Sequence, residues 1–302
     1  MRYARLGNTG LMVSELCLGC MTFGQEADEE TSRSIVGRFL EAGGNFVDTA
    51  DVYSNGVSEE ITGRALQGVR DDVVLATKVG AMPARKGLAA DNVKRACEDS
   101  LARLGTDRVD LYFAHFDDEG TPLEETFGAF EELVQEGKVL AYALSNYTPE
   151  RLRAALEVAP GAAALQPEYN LVEREGFEAE RQAIAREHEL AVVPYAALAS
   201  GFLSGKYRPE EEAEGEPSPR GGRARRYLED PNGRAVLEAL DAVAEETDKP
   251  VSAVALAWLA AQDTVLAPIA SARTPEQLQD LLAVGDLELT DDQLERLTAA
   301  SA

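Results

Sequence analysis

The chain has 302 residues, 45% hydrophobic and 27% charged, which is enough to bury a large core in one α/β barrel or two smaller domains. Its formal net charge of −25 argues against a nucleic-acid partner held through a general electrostatic surface. No apolar run reaches the roughly 18 residues a membrane helix needs, and the stretch from Met1 to Arg5 lacks the apolar core of a signal peptide, so no membrane partner and a cytoplasmic location are expected.

Two short segments flank Gly7-Asn8-Thr9-Gly10 within residues 3–13, a turn signal that joins a hairpin and places a lid on a barrel's bottom. From Leu16 onward short apolar runs alternate with helix-patterned segments, the signature of repeated βα units. Eight strands are predicted: Glu15 to Gly19, Asn45 to Asp48, Val73 to Lys78, Val109 to His115, Val139 to Ser145, Ala163 to Gln166, Ala191 to Pro194 and Val265 to Pro268. Helices are predicted between them at Glu29 to Ala42, Ser58 to Leu66, Ala90 to Leu104, Leu123 to Glu136, Pro149 to Ala159, Glu175 to His188 and Val251 to Gln262, with Pro275 to Val284 after the last strand. Thr148-Pro149 and Thr274-Pro275 each put a capping residue before a proline at the first helical position. Two further helices, Arg234 to Thr247 and Asp291 to Ala299, fall outside the eightfold pattern. The expected fold is an α/β single domain over 1–302, a (β/α)8 TIM barrel with an N-terminal hairpin and two extra helices.

Residues 207–233 break the rhythm. They are rich in Pro, Gly, Glu and Arg and too long for an ordinary connection, so they read either as a mobile flap over a bound cofactor or as a disordered surface insertion. The three cysteines, Cys17, Cys20 and Cys97, read as buried thiols, and no metal site is expected.

Polar residues end three successive apolar strands. Asp48 closes Phe46-Val47 with Tyr53 five residues on, Lys78 closes Val73 to Thr77, and His115 closes Val109 to Ala114. Catalytic groups of a parallel barrel sit at the C-terminal ends of its strands. A tyrosine titrates near 10, so its use as a general acid near neutral pH calls for a neighbour that stabilises the phenolate. Lys78 can supply that charge and lower the tyrosine's pKa, Asp48 can hold the lysine, and His115 can orient a substrate oxygen. His188, at a helix end, reads as solvated.

No GxGxxG or phosphate-binding loop is present. Barrels commonly place phosphate by the loops after strands seven and eight. Here those loops carry Ser200, Gly201, Ser204 and Lys206, then Ser271 and Arg273. Arg273 lies just before a helix start, where an anion is favoured, and reads equally as a surface arginine near a helix cap.

The chain resembles the aldo-keto reductases. The resemblance is carried by Gly43-Gly44-Asn45-Phe46-Val47-Asp48-Thr49-Ala50 with Tyr53, by Lys78, by Val109-Asp110-Leu111-Tyr112 with His115, and by Gly137-Lys138-Val139, Ser145-Asn146, Gln166 and Pro194-Tyr195. It continues through Gly201 to Tyr207 and Ala272-Arg273-Thr274-Pro275-Glu276-Gln277-Leu278. It implies a barrel using NADPH to reduce a small-molecule carbonyl substrate, with Tyr53 as acid, Lys78 and Asp48 tuning it and His115 orienting the carbonyl. It also implies that Ser145, Asn146 and Gln166 hold the nicotinamide carboxamide, that Tyr195 stacks on its ring and that Arg273 meets the adenosine 2′-phosphate. Leu198 and Gln277 complete the expected cofactor set. Two positions depart from the family pattern: Ala196-Ala197 replaces Ser-Pro, and Leu281 stands where an adenine-binding Asn is frequent.

Three functions stand at this point: a carbonyl reductase, an NADPH-binding sensor or partner subunit like the channel-associated β subunits, and an aldolase-like barrel with Lys78 as Schiff-base lysine. Met21, Phe23 and Phe116 are expected to wall the substrate site. Asp117-Asp118-Glu119 near the mouth points to a neutral aldehyde, ketone or keto sugar.

Overall fold

The computed structural model describes residues 1–208 and 221–301. Strands β1 (Tyr3–Arg5) and β2 (Met12–Ser14) form the antiparallel hairpin. The barrel strands are β3 (Cys17–Gly19), β4 (Phe46–Asp48), β5 (Val74–Val79), β6 (Val109–Ala114), β7 (Val139–Ser145), β8 (Ala164–Gln166), β9 (Ala191–Val192) and β10 (Ile269–Ala270). They lie parallel in the order β10-β3-β4-β5-β6-β7-β8-β9. Around them run α1 (Glu29–Glu41), α2 (Val57–Ala65), α3 (Ala90–Leu104), α4 (Leu123–Gln135), α5 (Pro149–Val158), α6 (Glu175–Glu178), α7 (Arg181–Glu187), α8 (Gly221–Glu229), α9 (Pro231–Thr247), α10 (Val251–Ala260), α11 (Pro275–Leu282) and α12 (Asp291–Ala300). This is the expected (β/α)8 barrel with its N-terminal hairpin and extra helices.

The eighth strand differs from its expected position. Val265 bridges Val192, and Leu266 and Ile269 donate to the carbonyls of Val192 and Pro194, which brings the sheet round to close on β9. Pro268 has no N–H to give the ladder. The regular strand therefore begins after it, where Ile269 and Ala270 pair with Cys17 and Leu18. The single helix expected at 175–188 is two, α6 and α7, and at the break Arg181 donates to the carbonyls of Gly176 and Tyr147.

The segment 207–233 also departs from expectation. Residues 209–220 lie outside the described residues, but Gly221–Glu229 and Pro231 onward are helical. Ala224, Tyr227 and Leu228 recur at helical spacing. Ala224 is fully buried, the Tyr227 ring lies 5.2 Å from that of Phe202, and its hydroxyl donates to Glu173 at 2.6 Å. The arginines and glycines around this stripe hide it from a composition-based reading.

Side chains alternate across each strand, and that parity places the site. Phe46, Val74, Ala76, Leu111, Phe113, Ala141, Ala143, Ala164, Ala191, Val193 and Ile269 fill the barrel interior, and Leu6 and Val13 of the hairpin close its bottom. On every barrel strand but β3, where it is Gly19, the next residue of the same parity is Asp48, Lys78, His115, Ser145, Gln166, Tyr195 or Ser271. Apart from that glycine all are polar, and all sit at the C-terminal end. The opposite parity, with Val47, Leu75, Tyr112, Leu144 and Leu165, packs against the helices. No helix among the described residues is long and apolar enough to cross a membrane.

Candidate active site and cofactor cleft

Lys78 is fully buried, and its ammonium makes three contacts: Asp48 Oδ1 at 2.5 Å, the Thr49 carbonyl at 2.8 Å and the Tyr53 hydroxyl at 3.2 Å. An ammonium has three N–H donors. All three are committed, so the lysine gives a hydrogen to the Tyr53 oxygen and leaves the phenol's own proton free to point elsewhere. Burial acts to lower the Lys78 pKa, but Asp48 and Tyr53 outweigh it and hold the ammonium above its ordinary value. Burial raises the Asp48 carboxyl against the pull of Lys78 and of the Gln166 amide, which donates to Oδ2 at 3.1 Å. Mutual attraction keeps the pair ionised.

At Tyr53 burial opposes the expected effect of Lys78. Burial raises its pKa, and Lys78, though adjacent, offsets that only in part. The phenol thus keeps its proton near neutral pH. Ser54, Asn55 and Gly56 follow it with φ of 51°, 53° and 94°, and the Ser54 hydroxyl donates to the Phe23 carbonyl at 2.7 Å, which anchors the turn that aims the phenol. His115 faces Tyr53 edge-on with ring centroids 6.1 Å apart and stacks on Phe116. Burial and the Lys78 charge push its pKa down to about 3, so the imidazole is neutral. Its Nδ1 is buried with no hydrogen bond to the protein.

A hydrogen-bonded chain continues from these four residues. The Ser145 hydroxyl donates to the Gln166 carbonyl at 2.8 Å, the Asn146 amide donates to Ser145 Oγ and to the His115 carbonyl at 2.9 Å each, and the Tyr195 hydroxyl donates to Asn146 Oδ1 at 2.8 Å. Asn146 sits at φ 61° to turn its amide this way. Beyond Tyr195 the chain takes four left-handed residues within six, Ala196, Ala199, Ser200 and Gly201. Three of these are not glycine and each carries strain on the order of 1 kcal/mol or more. The Asn170 amide pins the turn by donating to the Ala196 carbonyl at 3.0 Å.

One cavity of about 790 Å³ joins these groups. Asp48, Tyr53 and His115 form its inner end. Ser145, Asn146, Gln166, Tyr195, Leu198, Ser200, Gly201, Ser204, Lys206, Ser271, Arg273 and Gln277 line it, so every position expected from the sequence to meet a cofactor opens on the same space. Gly19 lies between strand ends where a Cβ would come within 2.6 Å of Ser271 Oγ, so only glycine leaves the floor open. Met21 and Phe116 also line the cavity and are 38% and 49% exposed. Phe23 does not belong with them: its side chain is fully buried in the core, and only its carbonyl serves the site. The carboxylates of 117–119 correct another expectation. Arg151 holds Asp117 through two bonds of 2.7 and 2.9 Å, and Asp118 accepts from the Leu88 N–H and the Thr121 hydroxyl. Asp117 and Asp118 are structural ties, Glu119 is exposed, and none of the three lines the cavity.

Sequence reasoning missed Glu26, Arg223, Ser252 and Asp280 on the cavity wall. Glu26, Arg223 and Asp280 sit in a loop or helices whose local pattern reads as solvated, Ser252 sits in the apolar α10, and nothing short of the tertiary packing brings the four together. The cysteines are buried and unpaired as expected, His188 is exposed, and the described residues contain no cluster of metal-binding side chains.

Residues 15–302 match the family described as the Aldo/keto reductase family. The uncharacterized oxidoreductase YrpG of Bacillus subtilis is 36% identical over 98% of this chain and 95% of its own length. A probable voltage-gated potassium channel subunit beta of Arabidopsis thaliana is 32% identical over 95% of this chain and 92% of its own. The aldo-keto reductase YhdN of Bacillus subtilis is 34% identical over 93% of this chain and 88% of its own.

Proposed function

This chain belongs to the aldo/keto reductase family, and on that premise we propose that it reduces an aldehyde or ketone to the alcohol using NADPH, with Tyr53 as proton donor. The observation that carries the reading is the commitment of all three Lys78 donors, one of them to the Tyr53 oxygen. It leaves a protonated phenol at the inner end of a cleft large enough for a dinucleotide.

The residues present fit the cofactor. Ser145, Asn146 and Gln166 offer hydroxyl and amide groups at one end of the cleft, Tyr195 offers a ring, and Arg273 offers a guanidinium beside the start of α11 at the other. When bound, the nicotinamide supplies a hydride to the carbonyl carbon. Tyr53 gives its proton to the carbonyl oxygen as charge builds there, and Lys78 stabilises the phenolate left behind. Asp48 keeps Lys78 charged and in place. His115, neutral and lining the same cavity, can hydrogen-bond the same oxygen through its imidazole and fix its angle. Phe116 and Met21 wall the substrate side with apolar surface, which favours a neutral carbonyl compound. A Schiff-base role for Lys78 is disfavoured: that chemistry needs an accessible neutral amine, and this one is fully buried as an ammonium.

The test is NADPH oxidation at 340 nm with an activated aromatic aldehyde, alongside NADPH binding by fluorescence. Tyr53→Phe is expected to lose about 10²- to 10⁴-fold in turnover while retaining cofactor, the range a positioned acid contributes. A mutant as active as the parent would remove Tyr53 as the acid. The likeness to potassium-channel β subunits favours a second reading, a cofactor-binding regulatory subunit with little turnover. Tight NADPH binding by a wild-type chain that reduces nothing across a broad carbonyl panel would select it.

A further inference from the structure

The loop after β3 is built to present one carboxylate. The N–H groups of Gln25, Glu26 and Ala27 converge on the Thr22 carbonyl at 3.3, 3.0 and 3.0 Å, and Gly24, at φ 76°, donates to the Ala27 carbonyl at 2.8 Å. The buried Thr22 hydroxyl then donates to the Ala272 carbonyl at 2.9 Å, tying this loop to the one after β10. The tie brings Glu26, whose side chain is only 12% exposed, to within 3.8 Å of the Arg273 guanidinium. Both side chains line the cavity beside Gln277 and Asp280.

Under the function proposed above, on which this step rests, Arg273 marks the adenosine ribose end of the dinucleotide. NADPH and NADH differ there alone. A 2′-phosphate calls for a cation, and a free 2′-hydroxyl calls for a carboxylate acceptor. This chain holds both groups, 3.8 Å apart. A phosphate drawn to Arg273 carries close to two negative charges and would meet the Glu26 carboxylate at short range, with Asp280 on the same wall. A ribose hydroxyl meets no such repulsion and gains an acceptor. We propose that Glu26 sets the cofactor preference of this chain: paired with Arg273 it admits NADH as well as NADPH and holds down the preference for NADPH.

Dissociation constants for NADPH and NADH, measured by fluorescence on the wild type, Glu26→Gln and Arg273→Gln, test this directly. Glu26→Gln is expected to tighten NADPH by at least about tenfold at low salt, since it removes a like charge near the phosphate, while NADH tightens not at all. Arg273→Gln is expected to weaken NADPH by a comparable factor and to leave NADH nearly unchanged. Glu26→Ala should shift the ratio of the two constants the same way as Glu26→Gln, which guards against a folding defect peculiar to one variant. A ratio that stays within twofold of wild type in both Glu26 variants overturns the inference while leaving the proposed function standing. A wild type that binds neither nucleotide overturns both.

Discussion

Three residues past Asp48, the Asp51 carboxyl is 1% exposed and neither oxygen makes a hydrogen bond of normal geometry. Burial, then the neighbouring Glu59 carboxylate, pushes its pKa up to about 7, against weaker opposing pulls from the nearby Val52 and Gly80 N–H groups and Arg103. Glu59 is committed elsewhere, accepting from the Thr77 hydroxyl and from Arg103 at 2.6 Å each. The folded state therefore holds a proton on Asp51 that the unfolded chain releases near 3.8. Stability from this group is lost as pH rises from the unfolded value to about 7, and the total is on the order of a few kcal/mol. Asp51→Asn removes the titration. Urea midpoints measured between about pH 5 and pH 8 should show the mutant gaining on wild type with rising pH, and a pH-independent difference would refute the assignment. Asp51 was not singled out from the sequence, whereas Asp48, Tyr53, Lys78 and His115 were. Asp48, Lys78 and His115 stand out because each ends an apolar run, and Tyr53 because it follows the first of them by five residues. Asp51 lies inside a polar loop, and only its enclosure makes it unusual.

Helices α2 and α3 cross where Gly63 meets the end of α3, and a Cβ at Gly63 would lie 2.2 Å from the Leu104 carbonyl oxygen. Replacing glycine by alanine inside a helix gains up to about 1 kcal/mol in propensity. A backbone carbonyl cannot yield as a flexible side chain can, so the clash wins. Gly63→Ala is expected to destabilise by about 1–3 kcal/mol net, read as a lower denaturant midpoint. A midpoint at or above wild type would mean that α2 can slide. Because α2 follows directly on the Tyr53 turn, its displacement should also lower turnover. Elements such as α3, α5 and α11 were legible from their periodicity and caps; the Thr148 and Thr274 side chains accept from the N–H groups of Arg151 and Gln277 as the cap-and-proline pattern implies. Strand β10 and helix α8 were not legible at their true positions. For β10 the β-rich residues Val265 and Leu266 precede a proline that interrupts the ladder. For α8 a short apolar stripe is outnumbered by arginine and glycine.

At the scale of the whole molecule, 54 acidic residues against 29 basic ones leave a surface that repels itself. Many arginines are already paired with carboxylates, as where Glu246 receives Arg296 and Gln293, but such exposed pairs contribute little. Self-repulsion weakens the compact state and is screened by salt over about 10 Å at 0.1 M. Raising KCl from about 0.05 to about 1 M should therefore raise the melting temperature, and a fall over that range would show that attractive pairs dominate. Charge of this kind is a property of composition and needs no structure to be read. The same holds for the barrel, since alternating apolar runs and helical periods admit few architectures, and for the polar strand ends, since side-chain parity and chain direction put them on one rim. Tertiary structure decided what depends on distance between segments far apart in the chain. It set the balance by which burial raises Tyr53 despite Lys78, and it withdrew Phe23 into the core. It also brought Glu26 to Arg273 from a distant part of the chain. Those outcomes turn on desolvation and a few ångströms of separation, and neither is written in local sequence.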